Sequence, residues 1–311
     1  MANCLVLGAN GFIGSHLVDA LAEDGHFVRC FDRYRSDDVI FSNQDHHDTE
    51  IVRGDFLSTA SLEAALKDMD YVFHFISTTN PFTAENDPLF DLDTNVKMSV
   101  ELFRICSEKG IKKVIFASTG GAIYGNVSTA DPISEKICPR PISPYAIGKL
   151  SIENYLRYFK TKHNLPYSVL RISNPYGPRQ NTLSGQGVIP IFLERIRDKK
   201  PITVYGDGSM VRDYVYVGDV ARLVAKSFEK TSDGSVYNLG SGKGRSINEL
   251  VDVIKKATGV DPVIESRPTP STFVKSVVLD TSKFFKDFGI ENKLIDLEQG
   301  VEKTWLDIKQ R

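Results

Sequence analysis

The 311-residue sequence has little net charge, few cysteines and no long apolar run. A chain without a window of about 18 apolar residues has no predicted membrane span. Its formal charge of -2 gives no general attraction to nucleic acid or to an anionic membrane surface. The N-terminal residues lack both a basic region and a cleavable apolar segment, so we expect no secretory signal. These absences favour a soluble cytoplasmic protein.

The four cysteines of the chain show no tight pairing in sequence. They are Cys4, Cys30, Cys106 and Cys138. Such scattered cysteines predict reduced, mostly buried thiols instead of a disulfide framework. We predict no metal site.

Short apolar runs alternate with helical patterns through the first half of the chain. The predicted strands are 5–7, 28–31, 71–75, 114–117 and 168–172. The predicted helices are 13–22, 61–66, 93–108 and 146–162. Near-continuous apolar strands joined by helical crossovers indicate a parallel sheet that is covered on both faces. The fold class is therefore α/β, with a Rossmann-type doubly wound parallel sheet.

The alternation loosens after residue 176, where glycine, proline and glutamine cluster in predicted loops. We expect residues 1–176 to form the first domain, with 212–240 returning to it. Residues 177–211 and 241–311 then form a smaller, discontinuous C-terminal lobe that binds substrate.

The turn after the first strand has the spacing Gly8-x-x-Gly11-x-x-Gly14. The first glycine suits a tight turn, the second lets backbone amides approach phosphate, and the third lets helix and strand pack closely. A strand before this turn and a helix after it are typical of a dinucleotide site. The predicted pyrophosphate-binding residues are Gly8, Asn10, Gly11, Phe12, Ile13 and Gly14.

Asp32 ends the second predicted strand, about 18 residues beyond Gly14. A carboxylate there accepts hydrogen bonds from the adenosine ribose and repels a 2′-phosphate, which favours NAD over NADP. Arg33 follows directly and weakens that preference. Asp55 and Phe56 either clamp the adenine or form an ordinary strand-to-helix cap, and both interpretations stay open.

A second motif, Tyr145-x-x-x-Lys149, begins a later helix after Ser143-Pro144. Residues four apart lie on one helix face. A lysine charge stabilises tyrosinate and lowers the phenol pKa, so the tyrosine can take or give a hydroxyl proton. Lys149 can also hold the nicotinamide ribose. Tyr145 and Lys149 are thus predicted to serve both catalysis and cofactor binding, with hydroxyls from Ser118 and Thr119.

Together these motifs resemble the extended short-chain dehydrogenases/reductases, and most of all the NAD-dependent nucleotide-sugar epimerases of the UDP-glucose 4-epimerase group. The matching segments, in chain order, are Gly8 to Gly14, Asp32, Asn95, 116–125, Tyr145 to Lys149, 171–175, 211–214 and Arg267-Pro268. The resemblance implies NAD as cofactor, with Phe75 and Asn95 among the residues that bind it.

The resemblance also implies a reaction and a UDP-sugar substrate. Tyr145 removes the proton of a sugar hydroxyl, and NAD takes a hydride and returns it to the other face of a 4-keto sugar. Guanidinium groups suit the substrate diphosphate, and Tyr205 matches a ring that stacks on uracil. The implied substrate-binding residues are Thr119, Asn174, Val188, Tyr205, Arg212 and Arg267.

One position departs from the pattern of these epimerases, because their usual catalytic serine or threonine falls on Gly120. We predict that Thr119 supplies the hydroxyl, with Ser118 as second candidate. Nucleotide-sugar 4,6-dehydratases need acidic residues at the next positions, which here are Gly121 and Ala122. Without a carboxylate there, elimination of water lacks an acid or base, so epimerisation is favoured.

Several alternatives stay open. Ser276 and Val277 are small, which favours a pocket for UDP-GlcNAc/UDP-GalNAc as well as UDP-glucose/UDP-galactose. Arg179 and Thr78-Thr79 would suit the carboxylate of UDP-glucuronate. A nucleotide-sugar 4-ketoreductase would use the same residues, and a non-enzymatic NAD sensor is a remote third function. The pathway, sugar use or polysaccharide biosynthesis, is not fixed by the sequence.

The resemblance implies a homodimer formed through helices 93–108 and 146–162. The predicted apolar contributors are Leu102, Ile105, Ile152 and Tyr155.

Overall fold

The structure, a computed structural model, describes residues 1–34, 39–43, 46–127, 131–182, 185–230, 233–269 and 274–311. Its residues cluster into two compact units. The first unit comprises Met1–Thr119, Ser143–Arg171 and Val220–Tyr237. The second unit comprises Gly120–Ile142, Ile172–Asp219 and Asn238–Arg311.

The described residues form strands and helices in the following order. The strands are β1 Asn3–Leu7, β2 Phe27–Asp32, β3 Thr49–Arg53, β4 Tyr71–His74, β5 Lys113–Thr119, β6 Tyr167–Ile172, β7 Asn174–Tyr176, β8 Ile202–Tyr205, β9 Val211–Tyr216, β10 Ser235–Leu239, β11 Gly244–Ser246, β12 Ile264–Arg267 and β13 Ser276–Val277. The helices are α1 Phe12–Glu23, α2 Thr59–Ala65, α3 Pro81–Asn86, α4 Pro88–Asp91, α5 Lys97–Lys109, α6 Pro144–His163, α7 Val188–Arg197, α8 Val217–Ser227, α9 Ile247–Thr258, α10 Ser282–Phe288 and α11 Leu297–Gln310. A π-helical turn, Leu92–Val96, joins α4 to α5.

The first unit is built on a seven-stranded sheet with the order β10-β6-β5-β4-β1-β2-β3. The strands from β3 to β5 pair in parallel. The order reverses between β1 and β4, and in such sheets ligands bind at the carboxyl ends of the strands beside this switch point. The predicted Rossmann-type α/β fold is confirmed. In its core, the side chains of Leu5, Leu7, Phe31, Val72 and Phe116 are fully buried.

The predicted strands and helices of the first half all occur, but the short helices α3 and α4 and one strand were missed. That strand is β3, which lies at the edge of the sheet and has no fully buried residue. Its sequence Thr-Glu-Ile-Val-Arg lacks the continuous apolar run on which the other strands were predicted. The predicted helix 93–108 is divided between the π-helical turn and α5.

The second unit contains a four-stranded sheet, in which β9 pairs with β7, β11 and β13, and a separate pair, β8 with β12. Its core includes Tyr176, Leu193, Ile202, Leu250 and Val301. Helix α11 packs on α7 and α9 within this unit. The long apolar faces of these helices therefore cover the small sheets.

The predicted domain limits differ from the units of the structure. Of the predicted return segment 212–240, the first unit holds only Val220–Tyr237, because β9 pairs with the strands of the second unit instead of the large sheet. Residues 120–142 also belong to the second unit. They leave the sheet after β5, and Ile133 pairs with Leu279.

The predicted dimer contributors are mostly core residues. Leu102, Ile105 and Ile152 are at most 2% exposed, because they pack in the core of the first unit, so the prediction that they offer surface is wrong. Tyr155 is 42% exposed and remains available. The cysteines, all of which the structure describes, are free thiols, and Cys138 alone among them is exposed.

No helix among the described residues combines the length and the apolar character that a membrane crossing requires.

Candidate active site and cofactor turn

The glycine turn after β1 is a close backbone cradle. Gly8 has a φ of 85°, and a Cβ there would lie 2.9 Å from the backbone of Ile76, just beyond β4. A Cβ on Gly14 would collide with the carbonyl oxygen of Gly8. Gly11 begins α1 without a side-chain cap, and the first turn of α1 has no acidic residue. The free amides of this twelve-residue helix suit a pyrophosphate.

Asp32 is tied to that cradle at the end of β2. Its Oδ2 accepts the backbone N–H of Asn10 at 3.0 Å, and its Oδ1 accepts that of Arg33 at 2.7 Å. The side chain of Asn10 in turn accepts the backbone N–H of Ile40 at 2.9 Å. The carboxylate thus sits beside the turn with lone pairs left for ribose hydroxyls and a charge that opposes a 2′-phosphate. These residues fit NAD.

The two residues predicted to clamp adenine lie in different environments. The Phe56 side chain is 1% exposed and packs against the His74 ring, with centroids 5.5 Å apart, so its ring is a core group. Asp55 is exposed and its Oδ1 accepts the backbone N–H of Leu57 at 3.0 Å, which closes the turn before α2. A clamp at this place therefore rests on Asp55 and the backbone.

The other two predicted cofactor residues flank the switch point. Phe75 is half-buried and its backbone N–H donates to Leu7 at 3.1 Å, which places it beside the glycine turn. Asn95, in the π-helical turn, is 7% exposed. Its Oδ1 accepts the Thr78 backbone N–H at 2.9 Å and its Nδ2 donates to Thr79 Oγ1 at 2.8 Å. Asn95 therefore fixes the segment that follows β4.

Tyr145 and Lys149 occupy successive turns at the start of α6, which begins with Pro144. The Lys149 ammonium is 5.7 Å from the centroid of the Tyr145 ring and 4.8 Å from that of Phe116, and it donates to the Ala117 carbonyl at 3.0 Å. Burial lowers the pKa of Lys149 to about 8, and burial with the charge of Asp91 raises the pKa of Tyr145 to about 12. Without ligands, the phenol is therefore protonated at neutral pH.

The two candidate hydroxyls at the end of β5 have different surroundings. Ser118 is buried and donates to Glu153 Oε1 at 2.6 Å. Glu153 is also held by Arg171, with Nη2 to Oε2 at 2.7 Å, so Ser118 belongs to a buried ion-pair network. Thr119, the last residue of β5, is half-buried. Of the two, Thr119 is the better placed to meet a ligand.

Three residues around the Tyr145–Lys149 pair were not predicted from the sequence: Ser77, Asp91 and Gly148. A small cavity in the first unit is lined by Ser77, Asp91, Asn95, Tyr145, Gly148 and Lys149. Asp91 is 3% exposed, and a Cβ on Gly148 would collide with its Oδ2. The only sequence signal for Asp91 is its spacing four residues before Asn95, which places the two on one helix face.

In the second unit, Asn174 and Arg212 lie on the paired strands β7 and β9. The Asn174 Nδ2 donates to the Asp213 carbonyl at 3.0 Å. Burial lowers the pKa of Arg212, and its Nη1 donates to the Val211 carbonyl at 2.8 Å. Within the described part of the chain, no carboxylate pairs with this guanidinium. A desolvated cation without a counter-charge is suited to an anionic ligand.

Tyr205 and Arg267 are brought together in the second unit, because they are partners in the parallel β8–β12 pair. Arg267 is exposed, 3.8 Å from the Glu265 carboxylate, and Tyr205 is half-buried. Val188 is the first residue of α7, whose N-cap Gly187 has no capping side chain. The amides at this helix end add further donors for an anion.

A buried carboxylate that sequence reasoning missed organises the strand of Arg212. Asp213 is fully buried, and its Oδ1 accepts the Ser241 backbone N–H at 2.8 Å and hydroxyl at 2.6 Å. Its Oδ2 accepts the backbone N–H groups of Gly242 at 3.2 Å and Leu279 at 3.3 Å. Because β9 alternates, this anchor holds β9 while its neighbour Arg212 points elsewhere.

Comparison with known proteins agrees with these sites. The sequence profile described as "NAD dependent epimerase/dehydratase family" matches residues 4–240. The chain belongs to this family. The resemblance to extended short-chain dehydrogenases/reductases of the nucleotide-sugar epimerase type is thereby confirmed, as are the enzyme class and the NAD-dependent chemistry of the family.

Three similar proteins match the chain nearly end to end. A UDP-glucose 4-epimerase of Mycolicibacterium smegmatis is 33% identical, with 96% of each chain covered. The crystal structure of UDP-glucose 4-epimerase with UDP-glucose from Thermotoga maritima is 37% identical, with 99% of each chain covered and a TM-score of 0.92. The UDP-N-acetylglucosamine 4-epimerase of Methanobrevibacter ruminantium is 33% identical, with 100% and 99% covered and a TM-score of 0.92.

Proposed function

We propose that the protein is an NAD-dependent UDP-hexose 4-epimerase. The observation that carries this proposal is the Tyr145–Lys149 pair on α6, in the same unit as the cradle from Gly8 to Gly14, with no carboxylate at positions 121 and 122. NAD, when bound, supplies the reversible oxidation of a substrate alcohol. The similar proteins named above are 4-epimerases of UDP-sugars.

The chain's own residues then have defined tasks. Tyr145 takes a proton from the sugar hydroxyl at its phenol oxygen and later returns it, so no external acid or base is consumed. Lys149 stabilises the phenolate, because its ammonium lies near the ring and is held in place by the Ala117 carbonyl. Thr119 supplies a hydroxyl hydrogen bond to the substrate.

The second unit provides donors for the UDP part of the substrate. Arg212 carries a desolvated guanidinium, and a planar guanidinium matches diphosphate oxygens in pairs. Arg267 and the amides at Val188 add positive charge and N–H groups, and we assign the ring of Tyr205 to stacking on the base. The Asn174 Nδ2 donates one hydrogen to the Asp213 carbonyl, and its second hydrogen is assigned to the diphosphate as a neutral donor.

The sugar is proposed as UDP-glucose/UDP-galactose, with UDP-GlcNAc/UDP-GalNAc also accepted. This breadth rests on the small side chain of Ser276, which is exposed and pairs in register with Val211, the residue before Arg212. Val277 is buried and is a core residue. Support for UDP-glucuronate falls, because the Thr79 hydroxyl already donates to Asp91 and that of Thr78 is 2.5 Å from Thr94 Oγ1.

The test uses the purified protein without added cofactor. UDP-glucose, UDP-GlcNAc and UDP-glucuronate are incubated separately, products are resolved by chromatography, and NAD is measured after denaturation. We expect the 4-epimers of UDP-glucose and UDP-GlcNAc. We also expect about one NAD per chain, because the proposed reaction returns the hydride and does not require the cofactor to leave. A separate incubation contains a nucleotide-linked 4-keto sugar, and its consumption only with added NADH or NADPH would instead identify a 4-ketoreductase. Bound NAD with no turnover of any sugar would identify a sensor.

We also propose that a second copy of the chain covers an apolar face of the first unit. On α6, Ile147, Tyr155 and Tyr158 form a stripe that is between 42% and 49% exposed. On α3 and α4, which contact α6, Phe82 and Leu89 are 69% and 72% exposed. An apolar stripe on one long helix can meet its own copy across a two-fold axis, and the family resemblance implies such a helical contact.

Light scattering after size-exclusion chromatography tests the homodimer. The wild type should have twice the monomer mass, and Tyr155→Glu with Tyr158→Glu should have the monomer mass. Ile264→Glu is the matched control, because Ile264 is 49% exposed in the second unit and should leave the mass unchanged. A wild-type monomer at micromolar concentration would contradict the proposal. The cytoplasmic location stays a prediction.

A further inference from the structure

Asp91 has a buried carboxylate beside helix α6, and one of its two oxygens has no hydrogen-bond partner among the described residues. It is 3% exposed. Its Oδ1 accepts the Thr79 hydroxyl and, at 2.9 Å, the Asn95 Nδ2. Its Oδ2 has no hydrogen-bond partner among the described residues and lies against Gly148, and Asp91 lines the same cavity as Tyr145 and Lys149. An oriented carboxylate oxygen in such a place acts on the protons of its neighbours.

The chain makes room for this carboxylate within the motif itself. Gly148 lies between Tyr145 and Lys149 on α6, and a Cβ at this position would collide with Asp91 Oδ2. Glycine in the interior of an exposed helix costs about 1 kcal/mol relative to alanine. The close approach of the carboxylate to α6 gives a physical reason for a glycine here.

The other charged groups around the pair are already neutralised. Glu153, one turn beyond Lys149, is held by Arg171 from β6 and by Ser118 from β5. His74, on β4, places Nε2 2.7 Å from Ser99 Oγ, and burial lowers its pKa to about 3, so it is neutral. Of the two carboxylates whose charge acts on Lys149, Asp91 is thus the one with an oxygen that no described cation or donor holds.

We propose that Asp91 is a positioning residue for proton transfer at Tyr145: its fixed negative charge beside Gly148 keeps Lys149 protonated and keeps the phenol from ionising before a substrate hydroxyl is in place. The inference deepens the proposed function, because a base that must return its proton in every turnover works poorly if its phenolate is too stable. The charge of Asp91 raises the pKa of both Tyr145 and Lys149.

The first test needs neither NAD nor a sugar. In 13C-lysine-labelled protein, the Lys149 resonance is assigned by its loss in Lys149→Met and titrated by NMR. Asp91→Asn should lower the pKa of Lys149 by about one unit, because a nearby negative charge favours the ammonium. Gly148→Ala should lower it in the same direction, since the added Cβ displaces the carboxylate. Asp93→Asn is the control, because Asp93 is exposed two residues away.

Equal titration of Lys149 in the wild type, Asp91→Asn and Asp93→Asn would overturn the proposal. Gly148→Ala keeps the test decisive if Asp91→Asn fails to fold. This titration also separates the two proposals, since it reads Asp91 even in a protein that turns over no UDP-sugar.

The second test is the pH dependence of kcat for the epimerisation. Removal of the Asp91 charge lowers the pKa of the phenol, so the acid limb in Asp91→Asn should move to lower pH by about one unit. Asp93→Asn should keep the wild-type profile. A uniform fall of kcat in Asp91→Asn with an unmoved acid limb would reduce Asp91 to a structural role and contradict the proposal.

Discussion

The charged groups of the two units differ in how closely other residues of the protein hold them. In the first unit, Lys149 is held by a carbonyl and two aromatic rings, and Glu153 and Arg171 form a buried pair. In the second unit, Arg212 has one carbonyl partner, and Arg267 is 3.8 Å from a carboxylate at the surface. The proposed catalytic group of the first unit is held in one geometry by other residues of the protein. The proposed anion-binding groups of the second unit keep N–H donors for a ligand.

Of the substitutions that test this comparison, Tyr145→Phe should have the largest effect on activity. It removes the single hydroxyl proposed to move the proton while keeping the ring, so epimerase activity should fall at least about 1,000-fold. NAD measured after denaturation should stay at the wild-type level, because the cradle is untouched. Tyr155→Phe, on the exposed part of the same helix, is the matched control and should retain activity. Substantial turnover by Tyr145→Phe would refute its assignment as the base.

The second unit should respond most to Arg212→Met. Loss of a desolvated guanidinium from the diphosphate should lower kcat/KM about 100-fold, mainly through KM. Because its guanidinium has no carboxylate partner among the described residues, the unfolding temperature should not fall. Arg267→Met, at an exposed site, should lower kcat/KM tenfold or less. The reverse order of these two variants would show that Arg212 is not the main diphosphate ligand.

Asp213 separates the scaffold of the second unit from its ligand-binding groups. In Asp213→Asn, an amide NH2 group replaces one carboxylate oxygen and cannot accept the hydrogen bonds of the Gly242 and Leu279 backbone N–H groups. The loss of these bonds should lower the free energy of unfolding by about 2–3 kcal/mol. Denaturant unfolding measures this loss. Asp207→Asn is the control, because the Asp207 side chain is exposed and accepts hydrogen bonds from Ser209, and should cost less than about 1 kcal/mol. Equal effects would deny Asp213 its anchoring role.

The smallest effect concerns the stability cost of the locked lysine. Burial lowers the pKa of Lys149 from 10.5 to about 8, so between these values the unfolded chain binds more protons at this residue than the folded chain. The unfolding free energy of the wild type should therefore rise with pH across that window. Below pH 8 the folded chain bears the full cost, and Lys149→Met should be more stable by about 1–3 kcal/mol.

Unfolding of the NAD-free protein by urea between pH 7 and pH 10 measures this difference. The advantage of Lys149→Met should shrink as the pH rises, although the variant is inactive throughout. A constant difference across the range would mean that the buried lysine is not the titrating group.

Local patterns predicted the glycine turn after β1 and the carboxylate beside it. Gly8, Gly14 and Asp32 follow directly from a strand, a turn and a helix that are contiguous in sequence, and the structure brings them together as expected. The edge strand β3 was missed because none of its residues is fully buried and its sequence lacks an apolar run. The dimer residues failed for a related reason, since a helical apolar stripe looks the same whether it meets the core or a partner.

The sequence by itself determined the α/β class, the glycine cradle, Asp32 and the Tyr145–Lys149 pair, because each depends on residues within a few turns of one another. Tertiary structure alone decided that Ser118 joins the buried pair of Glu153 and Arg171, that Asp213 accepts hydrogen bonds from five donors, and that Asp91 lies against Gly148. These partners are far apart in the chain, and a buried charge is defined by what surrounds it, so no local pattern encodes them.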